Sequence, residues 1–68
     1  MYDCLIKFDN VGRLHGFLDI LNRDLYNKSV IKDLQVLFFE ITESQYQFLY
    51  KLSVGFGAQV EAWESDLK

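Results

Sequence analysis

Alternation of apolar and polar residues at the start of the chain predicts a first β-strand. The alternation covers residues 2–8 and places Leu5 on the face opposite the inward side chains, which are Cys4, Ile6 and Phe8. A repeat of two residues is the period of a strand with one buried face. Asp9 and Asn10 then interrupt the pattern, and either side chain can cap a helix because its oxygen accepts hydrogen bonds from amides of the first turn.

Apolar residues spaced three and four apart predict a helix after this turn. The stripe consists of Val11, Leu14, Phe17, Leu18, Ile20, Leu21 and Leu25. A stripe of this width indicates a helix that packs on a core. Asn27 tolerates the left-handed backbone with which many helices end, so we expect the helix to stop near residue 26 or 27.

A run rich in Val, Ile and Phe predicts a second strand over residues 34–41. Apolar side chains lie on both of its faces, which is typical of a central strand covered on both sides. Thr42 follows as the N-cap of a second helix, and Gln45 three residues later completes a capping box. Gly55 and Gly57 supply the end of this helix.

A second alternating segment, residues 58–64, predicts the last strand. Its small inward side chains are Ala58, Val60 and Ala62, and Trp63 lies on the opposite face. Residues 65–68 continue no pattern, and we expect them to form a short free tail.

These elements predict a single α+β domain. Their order, strand-helix-strand-helix-strand, favours a two-layer sandwich with both helices on one face of a three-stranded sheet, because crossovers between parallel neighbours are right-handed. The alternative divides residues 24–42 into two short strands in place of one, which gives the ferredoxin-like order βαββαβ of an antiparallel sheet. The two architectures differ at residues 29–33, where the pattern leaves both open.

A sheet with helices on one face only exposes its other face. Contiguous apolar surface on a small domain usually marks an interface, and the side chains that we expect there are Leu5, Leu37, Phe39 and Trp63. This face is the predicted protein-binding surface, for a second copy of the chain or for another protein.

Two glycines on the first helix are further interface candidates. Gly12 and Gly16 lie four residues apart on a stripe roughly opposite the leucines. Each glycine costs about 1 kcal/mol relative to alanine inside a helix. Close approach of a partner backbone is one reason for their presence, and glycines tolerated in an adequate helix are the other.

The composition limits the cellular environment and the kinds of partner that we expect for this chain. Ten acidic and seven basic residues give a net charge of −3, which opposes the phosphate neutralisation on which nucleic-acid affinity depends. No apolar run approaches the roughly 20 residues that span a bilayer, and the first residues lack the basic region of a secretory signal. We therefore expect a cytoplasmic protein that binds neither membranes nor nucleic acid.

Side chains that could carry chemistry are few and isolated. Cys4 is the single cysteine and His15 the single histidine, whereas a structural zinc site needs four ligands. General-base or nucleophilic chemistry needs a second group within hydrogen-bond reach, and the sequence offers no evident one. We expect no enzymatic activity, no metal and no cofactor.

The segment from residue 9 to residue 14 is a predicted strand-to-helix turn, where helix amides can receive an anion or a small-ligand carboxylate. Asp9, Gly12 and Leu14 resemble the pattern that opens the first helix of ACT-type amino-acid-binding domains. Those domains usually have proline where Val11 stands. The resemblance covers three residues and implies a four-stranded small-ligand sensor that functions as a homodimer.

Taken together, these patterns favour a non-enzymatic protein-binding module. A compact acidic domain without catalytic motif or targeting signal fits a stand-alone inhibitor or adaptor, a class that includes inhibitors encoded by viruses. The alternative is the ACT-like sensor domain, with a dimer partner completing its pocket. Both hypotheses include a homodimer, and they differ in which surface is used.

Overall fold

A computed structural model describes residues 1–64, which form four strands and three helices. In chain order the elements are β1 (Tyr2–Lys7), α1 (Val11–Ile20), α2 (Arg23–Lys28), β2 (Val30–Asp33), β3 (Val36–Ile41), α3 (Glu43–Gly55) and β4 (Gln59–Glu64). The predicted tail, residues 65–68, lies outside the described residues. Within the described part, no helix is long and apolar enough to cross a membrane.

The strands form one antiparallel sheet in the order β2-β3-β1-β4. The predicted α+β class is confirmed, but the three-stranded sheet is wrong because the sheet has four strands over residues 1–64. If the short α2 is counted with the connection before β2, the elements follow the order βαββαβ of the alternative. The strand that the pattern did not resolve is β2, a four-residue edge strand whose side chains are all exposed.

The first predicted helix is divided into two. α1 ends at Ile20, and Leu21 has extended backbone with ψ of 144°. Asn22 then caps α2, where its side-chain oxygen accepts a hydrogen bond from the Leu25 amide at 2.9 Å. A strong N-cap residue inside the leucine pattern therefore starts a new helix, and a single helix to residue 26 or 27 was wrong.

The capping box that was predicted for the second long helix is confirmed in α3. The Thr42 hydroxyl accepts from the Gln45 amide at 3.2 Å, and the Gln45 side-chain oxygen accepts from the Thr42 amide at 3.2 Å. At the other end, Gly57 has a φ of +71°. This left-handed backbone turns the chain into β4, and glycine adopts it without steric cost.

Replacing Thr42 with alanine should lower the free energy of unfolding by about 1 kcal/mol, because the cap satisfies an amide of the first turn. Urea unfolding followed by circular dichroism measures the change. Ser44→Ala is the matched control, since Ser44 is exposed in the same turn. Equal stability of Thr42→Ala and the wild type would show that the cap does not stabilise α3.

The core contains side chains from strands β1 and β3 and from all three described helices. Its buried apolar members are Cys4, Ile6, Phe8, Leu14, Phe17, Leu18, Leu25, Leu37, Phe39, Ile41 and Leu49. The inward face predicted for the first strand is confirmed. We call the sheet surface that includes Cys4 and Ile6 the core face.

The predicted facing of Leu37 and Phe39 was wrong. Both side chains have 0% exposure and belong to the core, not to an open interface. Cys4 lies opposite Phe39 and Ile6 opposite Leu37, and directly opposed residues share one face of a sheet. The pattern could not distinguish the faces of β3 because both are apolar, whereas pairing with β1 determines which one is buried.

Candidate protein-interaction surface

The sheet surface opposite the core face is the candidate site, and we call it the outer face. Strand register arranges its side chains in three rows. The apolar row crosses three adjacent strands from Val30 to Phe38 to Leu5, and it continues to Glu61 on β4. Among residues 1–64, no residue of these rows belongs to the buried core cluster.

Two further rows lie on either side of the apolar row. The acidic row consists of Glu40, Asp3 and Trp63, because Asp3 is opposite both of the others. The lysine row consists of Val36, Lys7 and Gln59, because Lys7 is opposite both of the others, and Asp33 of β2 extends it beyond Val36. Charge along β1 is therefore divided, with the Asp3 carboxylate at one end of the strand and the Lys7 ammonium group at the other.

The apolar side chains of the outer face are only partly covered. Leu5, Val36 and Phe38 are half-buried, while Val30 is 48% and Trp63 46% exposed. Partial burial comes from neighbours in the same face and leaves contact area for a partner.

Lys32 contributes a positive charge beside the apolar row. Its Nζ lies 5.3 Å from the centre of the Phe38 ring, a distance at which an ammonium group is attracted by the ring face. Lys32 is otherwise exposed. A register shift in β2 between Ile31 and Asp33 accompanies this placement.

A shallow depression of about 310 Å³ lies between the apolar row and the lysine row. Its lining residues are Leu5, Lys7, Val36, Gln59 and Glu61. Such a volume is at the low end for small-ligand pockets, and the site is open. The depression suits side chains of a partner surface better than an enclosed ligand.

Asp3 carries an unsatisfied acceptor within the acidic row. Its Oδ1 atom is buried and has no hydrogen-bond partner among the described residues. A buried carboxylate oxygen without a donor is unfavourable because its hydration has been lost. A donor from outside the chain would reach this oxygen only after rotation of the Asp3 side chain.

Of the four sheet residues predicted for the interface, Leu5 and Trp63 lie on the outer face, and Leu37 and Phe39 do not. Phe38 and Val30 occupy the surface instead. The signal that could have identified Phe38 is its register with Leu5, which requires knowing that β1 and β3 are antiparallel neighbours.

The two candidate glycines have neighbours within their own chain. A Cβ atom on Gly16 would lie 3.6 Å from the Phe56 ring, and one on Gly12 would lie 3.3 Å from the Asn10 side-chain oxygen. Space for the Asn10 cap therefore accounts for Gly12, whereas a Cβ atom on Gly16 would make only an ordinary van der Waals contact with Phe56.

The turn that resembles ACT-type domains is closed by the chain's own polar groups. Asn10 caps α1 by accepting from the Arg13 amide at 2.9 Å. The Gln35 side-chain amide donates to the backbone oxygens of Phe8 and Asp9. These bonds hold the turn in place, and the described contacts give no reason to expect a ligand there.

The isolated cysteine and histidine occupy different environments. Burial raises the pKa of the Cys4 thiol to about 11, so the thiol is neutral and unreactive near pH 7. His15 is exposed on α1. Within residues 1–64, no group of three or more His, Cys, Asp or Glu side chains is placed to hold a metal ion.

No protein-family model matches the sequence, and comparison with curated proteins and with solved structures finds no similar protein. Inferences about function therefore depend on the outer face itself, on its apolar row and on the charged rows beside it.

Proposed function

We propose that this chain is a non-enzymatic protein-binding module, a small acidic inhibitor or adaptor, that acts through the outer face. The observation that carries the proposal is the apolar row from Val30 through Phe38 to Leu5 on three adjacent strands. A continuous apolar row on the surface of a small domain is the kind of patch that partners cover.

The distribution of polar residues supports the same proposal. Specific interfaces combine an apolar centre with a polar rim, and here charged side chains flank the apolar row on both sides. Trp63 stands at one corner, and tryptophan is strongly enriched among residues that dominate binding energy. Leu5 lies near the centre of the face, where truncation should affect binding most.

We place this activity in a reducing, cytoplasmic setting. The proposal draws on the single cysteine of the chain, which excludes an internal disulfide, and on the rarity of disulfides in the cytosol. The buried Cys4 thiol takes no part in binding.

Photo-crosslinking tests the use of the outer face. A benzophenone amino acid replaces Trp63 in one variant and Phe48 in a control, since Phe48 is an exposed aromatic residue of α3. We expect crosslinked protein adducts from position 63 and few from position 48 when each variant is irradiated in cell extract. Adducts are measured by gel electrophoresis and mass spectrometry.

A second substitution shows whether such adducts depend on the apolar row. Leu5→Asp places a charge at its centre and should abolish the adducts of the position-63 variant, while circular dichroism reports that the fold is retained. Adducts that are equally abundant at both positions, or that persist in Leu5→Asp, would contradict the proposed function.

A further inference from the structure

We infer that, when no other protein is bound, the occupant of the outer face is a second copy of this chain, related to the first by a two-fold axis parallel to the apolar row. The inference rests on the proposed function, because it assumes that the outer face binds protein. Two-fold dimers use the same patch on both subunits, so the patch must be complementary to itself. The three rows of the outer face meet this requirement.

The apolar row is complementary to itself in shape and chemistry. An axis along this row lays Leu5, Phe38 and Val30 of one copy against the same row of the other. The strands of the two sheets then lie within about 30° of a common line, which is the aligned class of sheet packing. Apolar contact at the centre supplies the main favourable contribution to association.

The flanking rows are complementary in charge. The same axis turns the acidic row of each copy onto the lysine row of the other. Lys7 then faces Asp3 of the second copy, and this pair occurs twice in the dimer. Rotation of the Asp3 side chain would offer this donor to its Oδ1 atom, which is buried without a hydrogen-bond partner among residues 1–64.

The remaining charged groups of the face have defined places. Glu61 stands at the β4 end of the apolar row, so the two copies of Glu61 approach each other at the exposed rim. Glu40 comes opposite Val36 and is itself exposed. At the β2 edge, Asp33 is opposite Val36 and its side chain accepts from the Leu34 amide. Lys32, whose ammonium group lies over Phe38, approaches its own copy across the axis at this edge.

Other orientations match the charges less well. An axis parallel to the strands would place the acidic row of one copy on the acidic row of the other and bring Asp3 against Glu40. Like charges across an interface oppose binding. The arrangement of the rows therefore favours the two-fold axis parallel to the apolar row, and it favours a second copy of the chain as the occupant.

Light scattering after size exclusion, over a wide dilution series, tests whether the wild type forms a dimer. Lys7→Glu places glutamate opposite Asp3 in both pairs, and Asp3→Lys places lysine opposite Lys7 in both pairs. Each single variant should raise the dimer dissociation constant roughly tenfold or more, because like charges then face each other. Circular dichroism establishes that each variant is folded.

Mixing the two variants is the decisive measurement. In a heterodimer of Lys7→Glu and Asp3→Lys, one pair joins the substituted residues and the other joins the native residues, so both are attractive. We expect the mixture to recover the dimer that neither variant forms alone. If Asp3→Lys does not fold, the double variant Lys7→Glu/Asp3→Asn serves instead. The asparagine removes the repulsion between the two carboxylates, so the double variant should dimerise more tightly than Lys7→Glu alone.

Three results would overturn the inference. These are a monomeric wild type at every concentration, a dimer that Lys7→Glu leaves unchanged, and a mixture that stays monomeric while both variants are folded. A monomeric wild type that still gives specific adducts at position 63 would leave the proposed function intact, with a different protein as occupant. If position 63 gives no specific adducts and the charge substitutions leave the dimer unchanged, both the proposed function and this inference are contradicted.

Discussion

Replacing Phe39 with alanine is expected to lower the free energy of unfolding by about 3–5 kcal/mol. The Phe39 side chain is completely buried between the sheet and the helices' core residues, so its removal loses apolar contact and leaves a cavity. A chain of 68 residues has a total stability of roughly 3–10 kcal/mol on the usual scale per residue. The substitution should therefore leave the variant barely folded or unfolded at room temperature.

Phe38→Ala is the matched control for this substitution. Phe38 is the preceding residue on the same strand, but it lies half-buried on the outer face. Its truncation should cost about 1 kcal/mol, in proportion to the apolar area that it covers. Urea unfolding measures both variants, and equal losses, or a larger loss for Phe38→Ala, would show that the facing of β3 is incorrect.

Strands with one polar face were predictable from the sequence. In β1 and β4 most of the outward side chains are polar or charged, with Leu5 and Trp63 as the apolar exceptions, so the pattern alone identifies the buried face. Cys4 and Ile6 are buried as predicted, and Val60 and Ala62 pack against the core. The start of α3 was predictable for a different reason, because Thr42 and Gln45 interact within a single turn of chain.

Features that depend on distant pairing were not predictable. β3 is apolar on both faces, so its orientation follows only from its register with β1, more than 30 residues earlier in the chain. β2 lies at a sheet edge and is exposed throughout, so burial leaves no alternation in its sequence. The break at Leu21 is local, but the continuing leucine spacing concealed the capping role of Asn22.

The candidate surface was likewise predictable only in part. Leu5 and Trp63 could be placed on the outer face because they belong to strands with a clear alternation. The position of Phe38, and the Asp3 oxygen that has no hydrogen-bond partner among residues 1–64, became apparent only from the register of β1 with β3 and β4. Antiparallel register brings lysine and carboxylate rows to opposite ends of one face, and no local sequence feature signals that arrangement.

Raising the pH from 9 to 11 should destabilise the protein through Cys4. Burial raises the pKa of this thiol from 9.0 to about 11. Below pH 9 the thiol is protonated in both the folded and the unfolded states, so it adds no pH dependence. Between pH 9 and 11 the unfolded chain loses the proton while the folded protein retains it, and stability falls by up to about 1.4 kcal/mol per pH unit.

Cys4→Ala isolates this contribution from other alkaline titrations. The pKa of Tyr2 is also raised, mainly by the nearby Glu43 carboxylate. Ionisation of Tyr2 at high pH therefore also lowers the stability of the folded protein, and this contribution persists in Cys4→Ala. Urea unfolding at pH 8, 9, 10 and 11 should therefore show a steeper loss of stability in the wild type than in Cys4→Ala, by roughly 2 kcal/mol over the whole range. Parallel pH dependences would mean that the Cys4 thiol ionises as readily in the folded protein as in the unfolded chain.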